Sequence, residues 1–243
     1  ASLDIKNKDG LTPLHLAIEK GLTDITLALI EKGVNLDIQV KYGQTPLQWA
    51  IYENNSEIAL ALINKVANID IQDNKYGKTP LQWAILKGKS EIAIALINKG
   101  ANLDIQDQDG KTPLYWTIEK GLTDITLALI EKGANLDIQD EDGKTALQVA
   151  LENRNTKIAH VLIDKGANLD IQDQDGLAPL NLAIMKGLTE IALAIIEKGA
   201  NFNIQGKSGI TPLHWAIYKN NSEIALALIN KGANLDIQDE YGK

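Results

Sequence analysis

The sequence predicts an all-α fold, an α-solenoid of stacked helix-turn-helix units with projecting hairpin loops. Three observations predict it: self-similarity at a fixed period, helix punctuation repeated inside every period, and apolar faces that one unit alone cannot bury. The string TPLHLAIEKGLTDITLALIEKGVNLDIQ at 12–39 returns at 112–139 as TPLYWTIEKGLTDITLALIEKGANLDIQ, with four positions changed. The period is 33 residues, with full copies at 12–44, 45–78, 79–111, 112–144, 145–177, 178–210 and 211–243 after a partial copy at 1–11. The second full copy, 45–78, carries one extra residue near Asn74. The whole chain, 1–243, therefore reads as a single repeat domain.

Within each copy the first helix starts at Thr12 or its equivalent, whose hydroxyl can accept an orphan backbone N–H, with Pro13 behind it, where a missing N–H costs nothing. That helix stops near Gly21, and the matching positions hold Gly88, Gly121, Gly187, Asn54 and Asn220. Gly and Asn are the residues that tolerate a left-handed C-terminal cap. A second N-cap is expected at Thr23 or Ser56, followed by the apolar run 25–30 and a stop at Gly33. Residues 35–43 then form an extended turn, and LDIQDQDG in later copies supplies Asp and Gly for a tight hairpin.

The T-P-L-H-x-A signature is intact at 12–17 and 211–216, and its fourth position becomes Gln48, Gln82, Tyr115, Gln148 or Asn181 elsewhere. With the period and the Asp/Gly hairpins, this resembles the ankyrin-repeat family over the entire chain. The resemblance implies a slightly curved array whose hairpin tips and exposed first-helix sides form a concave binding surface. It also implies that His15 and His214 are structural hydrogen-bonding residues.

Composition narrows the function classes. A net charge of -8 and a pI near 5.0 disfavour nucleic acid and anionic membranes, both of which need clustered Lys and Arg. A neutral or basic protein partner fits better. The absence of Cys removes thiolate chemistry and cysteine metal sites, and makes a reducing, cytoplasmic compartment the simpler expectation. No apolar run approaches the roughly 20 residues of a membrane span. His160 stands where other copies have Leu or Ile and reads as an exposed substitution. The loop 107–110 has a calcium-loop look, but Ile105 and Trp116 fall at ligand positions. Asn54-Asn55-Ser56 and Asn220-Asn221-Ser222 match the glycosylation tripeptide by chance, since Asn54 and Asn220 are helix stops. No nucleophile elbow, phosphate loop or dinucleotide motif is present, so no catalytic role, cofactor or metal is expected.

Shared positions specify a repeat scaffold, so exposed differences between copies point to the binding surface. Two rows vary together: the tip residue before the hairpin Gly, and the residue that follows the TPLxxAI segment. On the concave side they would gather Tyr42, Tyr52, Tyr76 and Leu86, with an acidic stretch of Asp109, Glu119, Asp140, Asp142 and Glu152 alongside. Tyr241 belongs to the same tip row. Aromatic anchors beside a steering acidic strip suit the binding of a protein.

Trp49, Trp83, Trp116 and Trp215 fall where the family has a buried Leu and are expected in the core. On the second helices Leu27, Leu60, Ile94, Leu127, Leu193 and Leu226 would form a convex apolar row. Neither end carries a polar capping unit, so the alternative to partner binding is a self-assembling scaffold that associates through its ends or this row. Near-identity of copies one and four suits tandem duplication or an engineered array, and the uncapped ends suit an excised fragment of a longer protein. Val66, in place of a helix-stopping Gly, argues for nature. It marks one expected weak joint, and the fifth copy, with Ala146 for Pro and Arg154 for Gly, marks another.

Overall fold

The computed structural model describes residues 3–65, 68–240 and 242. Val66 and Tyr241 lie outside the described residues. Fourteen α-helices and no strand are found among those described. They form seven antiparallel pairs: α1 (Pro13–Glu19) with α2 (Thr23–Glu31), α3 (Pro46–Tyr52) with α4 (Ser56–Lys65), α5 (Pro80–Leu86) with α6 (Ser90–Asn98), and α7 (Pro113–Glu119) with α8 (Thr123–Glu131). The series continues as α9 (Ala146–Glu152) with α10 (Thr156–Asp164), α11 (Pro179–Met185) with α12 (Thr189–Glu197), and α13 (Pro212–Tyr218) with α14 (Ser222–Asn230). Each helix packs on its own partner and on the same helix of the adjoining copies, giving a layer of first helices and a layer of second helices.

Local chemistry sets these boundaries. Thr45 accepts from the Gln48 N–H, while the Gln48 side chain accepts from the Thr45 N–H at 2.8 Å, a reciprocal capping box repeated at Thr79, Thr145 and Thr211. Gln48 then donates to the Lys78 and Ile71 carbonyls, tying the first helix to the hairpin that follows. The expected stops are left-handed, with Asn54 at φ 64° and Asn220 at φ 52°. Arg154 shares that conformation at φ 54°. The second-helix cap lies one residue earlier than predicted. Thr23 and Ser222 are first helical residues, and the caps are Leu22 and Asn221. Only where that earlier residue is Asn, as at Asn55, Asn155 and Asn221, does a side chain accept the orphan N–H.

The core is one continuous file. Leu47, Ile51, Ile58 and Leu62 in the second copy, and their counterparts through the interior copies, are essentially inaccessible. Burial fades at both ends: Ile25 is 52% exposed and Ile217 58%, although equivalent positions inside the array are buried. The convex row is covered more than expected. Leu27, Leu60, Ile94, Leu127 and Leu193 are half-buried against the core, and only Leu226 is exposed, because neighbouring second helices shield one side of each residue.

Hairpins are joined tip to tip. The Gln108 N–H donates to the Tyr76 carbonyl, as Asn74 does to Tyr42 and Gln174 to Asp142. Beneath them a glutamine ladder runs from copy to copy, Gln39 to the Gln72 carbonyl, Gln72 to Gln106, Gln106 to Gln139 and onward to Gln238. Gly43 permits the closest approach. A Cβ there would stand 2.5 Å from Asn74 Cγ. The hairpin of copy two is wider than the rest: Asp73 N–H bonds the Lys78 carbonyl, whereas Asp107 closes on Lys111.

Candidate protein-binding face

Hairpin tips, the ends of α1 and α3 and the middle of α5 converge on a groove of about 350 Å³. Tyr42, Tyr52 and Tyr76 all line it, together with Trp49, Trp83, Glu19 and Glu53. The three tyrosines are 51%, 49% and 41% exposed, so the fold brings them together on an accessible surface. Leu86 is not part of it; this residue is half-buried at the end of α5.

The tryptophans depart from expectation. All four are half-buried rather than core, because an indole is too long for the slot a Leu fills and its outer edge stays accessible. Trp83 stands edge-on to both Tyr52 and Tyr76, with ring centroids 6.0 and 5.8 Å apart. The preceding hairpin fixes the indole: Trp83 Nε1 donates to Asp73 Oδ2 at 2.7 Å, and Trp116 Nε1 to Asp107 Oδ2 at 2.9 Å. Asp73 is buried and also accepts the Lys75 and Tyr76 N–H groups, so one carboxylate shapes the tip and aims the ring. Lys78 makes a buried ion pair with Asp107.

Lysines that the sequence did not bring forward overlie these rings. Lys75 Nζ sits 4.9 Å from the Tyr42 centroid and 4.7 Å from that of Tyr76, and Lys87 Nζ sits 4.1 Å from Tyr52. Lys111 stands over both Tyr115 and Trp116. The periodicity that places first-helix aromatics beside hairpin lysines carried this signal, but only the folded hairpins show the pairing.

The acidic stretch divides. Asp109 and Asp142 are exposed at the tips, and Glu119 is exposed at the end of α7. Asp140 is not available to a partner. It is buried, and it accepts the Asp142 and Lys144 N–H groups at 3.0 and 2.8 Å. That is the same turn-forming role as Asp73 and Asp107 play. Glu152 is ion-paired with Lys144 at 3.0 Å. Tyr115 lies among these acids. Burial, then Asp140, Glu119, Glu152 and Asp142, push its hydroxyl above the ordinary phenol range. The histidines are cap residues, with Thr12 Oγ1 and His15 Nδ1 2.7 Å apart and Thr211 Oγ1 and His214 Nδ1 2.8 Å apart. His160 is exposed.

A family model described as ankyrin repeats in three copies matches residues 1–73, 42–107, 68–140, 95–173 and 165–239. The chain belongs to the ankyrin-repeat family. Among solved structures, this ankyrin array is similar to the ankyrin repeat domain of Bcl-3, described as a unique member of the IkappaB protein family. The TM-score is 0.75 at 26% identity, over 91% of this chain and 100% of that one. No curated protein matches the sequence. Ankyrin repeats are in general protein-protein interaction modules, and the family is typically non-catalytic. No helix among the described residues is long and apolar enough to cross a membrane.

Proposed function

We propose that this array binds a protein partner on its concave face, with the groove of Tyr42, Tyr52, Tyr76, Trp49 and Trp83 as the anchor. One observation carries the reading: five aromatic side chains, three of them about half exposed, converge on a single groove. Aromatics supply contact area at small entropic cost and dominate binding energy when a partner covers them. Asp109, Asp142 and Glu119 form an exposed acidic rim in the third and fourth copies that would attract a basic partner and speed its docking. Asp140 and Glu152 serve that rim indirectly, through hairpin shape and the Lys144 pair. Once a partner has been captured with the wild-type array, the Tyr42, Tyr52 and Tyr76 triple Ala variant should bind it at least about 30-fold more weakly, the equivalent of roughly 2 kcal/mol. Unchanged affinity sinks the assignment.

A second reading is favoured by apolar side chains in the first and last copies. Ile25, Ile217, Leu226 and Leu235 are more than half exposed. Such surface drives association between copies, worth about 25 cal/mol per Å² of apolar area covered. Sedimentation of the array alone, with Ile217→Lys and Leu226→Lys as a variant, separates the readings. A concentration-dependent mass that the double variant abolishes supports assembly; a monomer at all concentrations removes it.

A further inference from the structure

The aromatic groove holds a cation already, and how it does so points to what the site is built to take. Lys75 is the residue that makes copy two longer. Asn74 bonds the Tyr42 carbonyl as Gln108 bonds that of Tyr76, and Tyr76 and Asp109 each precede a left-handed Gly, so Lys75 has no counterpart in the four-residue tips. Its Nζ lies between two ring faces, 4.9 Å from Tyr42 and 4.7 Å from Tyr76. It makes no ion pair among the described residues, although Glu19 and Glu53 line the same groove. Asp73 is no alternative partner, since its two oxygens accept from the backbone N–H groups of residues 75, 76 and 78 and from Trp83 Nε1. The ammonium is therefore held by the tyrosines, over the two ring faces. Lys87 repeats the ring contact over Tyr52.

Resting on the reading of this groove as the partner's anchor, we propose that it is a cation-π cage for an alkylammonium side chain of the partner, a methylated lysine, and that Lys75 is an internal occupant which that side chain displaces. The chemistry favours the methylated form. Ring faces attract positive charge without needing N–H donors, and methyl groups add apolar contact with Trp83, Tyr52 and Tyr76 that a bare ammonium lacks. Glu19 and Glu53 at the rim lower the cost of bringing in a cation and repel an acidic side chain. An occupant tethered to the hairpin reduces the fraction of open cages, so its removal tightens binding by the same factor.

The test uses the whole array and needs no partner. N-acetyl-Nε-trimethyl-lysine amide is titrated by tryptophan fluorescence into wild type, Lys75→Ala and a chain with Lys75 deleted. The neutral N-acetyl-norleucine amide is the comparison ligand. Both variants should bind the cation roughly threefold to tenfold more tightly than wild type, and the neutral ligand should bind at least about fivefold more weakly than the cation, the range for one cation-π contact. Tyr76→Leu in the Lys75→Ala background, which keeps apolar bulk but removes a π face, should lose the preference for charge. Equal binding of the two ligands, or no gain on removing Lys75, overturns the cage. Neither result bears on whether a protein covers the groove, which the triple Ala variant decides separately.

Discussion

Trp83 and Asp73 form a hydrogen bond of 2.7 Å that joins the hairpin of one copy to the first helix of the next. Trp116 and Asp107 repeat it. The two remaining tryptophans have no such acceptor: the indole N–H groups of Trp49 and Trp215 are buried without a hydrogen-bond partner among the described residues. Sequence explains both cases, because the positions equivalent to Asp73 hold Val40 and Gly206. The hairpin after Val40 also takes a different turn, with Tyr42 at φ 63°.

Val40→Asp should therefore stabilise the array by about 1 kcal/mol, since a buried indole N–H gains a charged acceptor. Thermal unfolding of Val40→Asp, alone and combined with Trp49→Phe, checks the cause. The gain should vanish when the indole N–H is removed, and a gain that survives Trp49→Phe would place it elsewhere.

A comparable defect lies at the start of α11. Ala178 has no hydroxyl to cap the helix, and the amide of buried Asn181 makes no hydrogen bond among the described residues. The longer Gln148 reaches the Leu177 carbonyl at 2.7 Å. Ala178→Thr with Asn181→Gln should restore the capping box and raise stability by about 2 kcal/mol in urea unfolding, from one cap and one rescued buried amide. Asn181→Gln alone should give less than half of that gain.

Arg154, in the fifth copy expected as a weak joint, lies at φ 54°. A side chain in the left-handed region costs about 1 kcal/mol or more relative to Gly. The bond from Arg154 Nη2 to the Lys186 carbonyl, at 2.8 Å, offsets part of that cost. Arg154→Gly should yield a net gain of about 0.5 kcal/mol, the strain relieved less the hydrogen bond lost. Slower hydrogen exchange of the α10 amides than in wild type would register it. Faster exchange would mean the Lys186 contact outweighs the strain.

His15 makes the first copy sensitive to acid. Burial, reinforced by the Lys6 charge and opposed by the nearby Gln44 backbone, lowers its pKa from 6.5 to about 4. The unfolded chain thus binds a proton that the folded one refuses. Stability from this site is complete above pH 6.5 and is lost as pH falls toward 4, by up to roughly 3 kcal/mol. In His15→Gln, which copies the Gln48 arrangement, the unfolding midpoint should fall less between pH 7 and pH 4. An identical decline in both proteins would assign the acid sensitivity to other groups.

The scaffold was legible because its signals are local: Thr-Pro at helix starts, Gly or Asn at stops, and a period that returns Leu47 as Leu81 and Leu114. The tyrosine groove was legible from differences between copies. What the sequence concealed depends on the folded hairpins and on contacts across a copy boundary. Asp140 looks like a surface acid until its carboxylate is seen to accept its own hairpin's N–H groups. The tryptophans look like enlarged leucines until their outer edges meet the neighbouring hairpin. Val66, the other expected weak joint, lies outside the described residues.

Each link of the glutamine ladder joins a residue to its own counterpart in the following copy, from Gln39 to Gln72 as from Gln172 to Gln205. Excising any whole interior unit would bring two matching ends together, and the ladder would close over the gap. Excising a fraction of a unit would leave an amide facing the wrong carbonyl. Changes by whole copies would therefore keep the ladder in register, so the length of the array and the position of its aromatic groove along it could vary independently of each other.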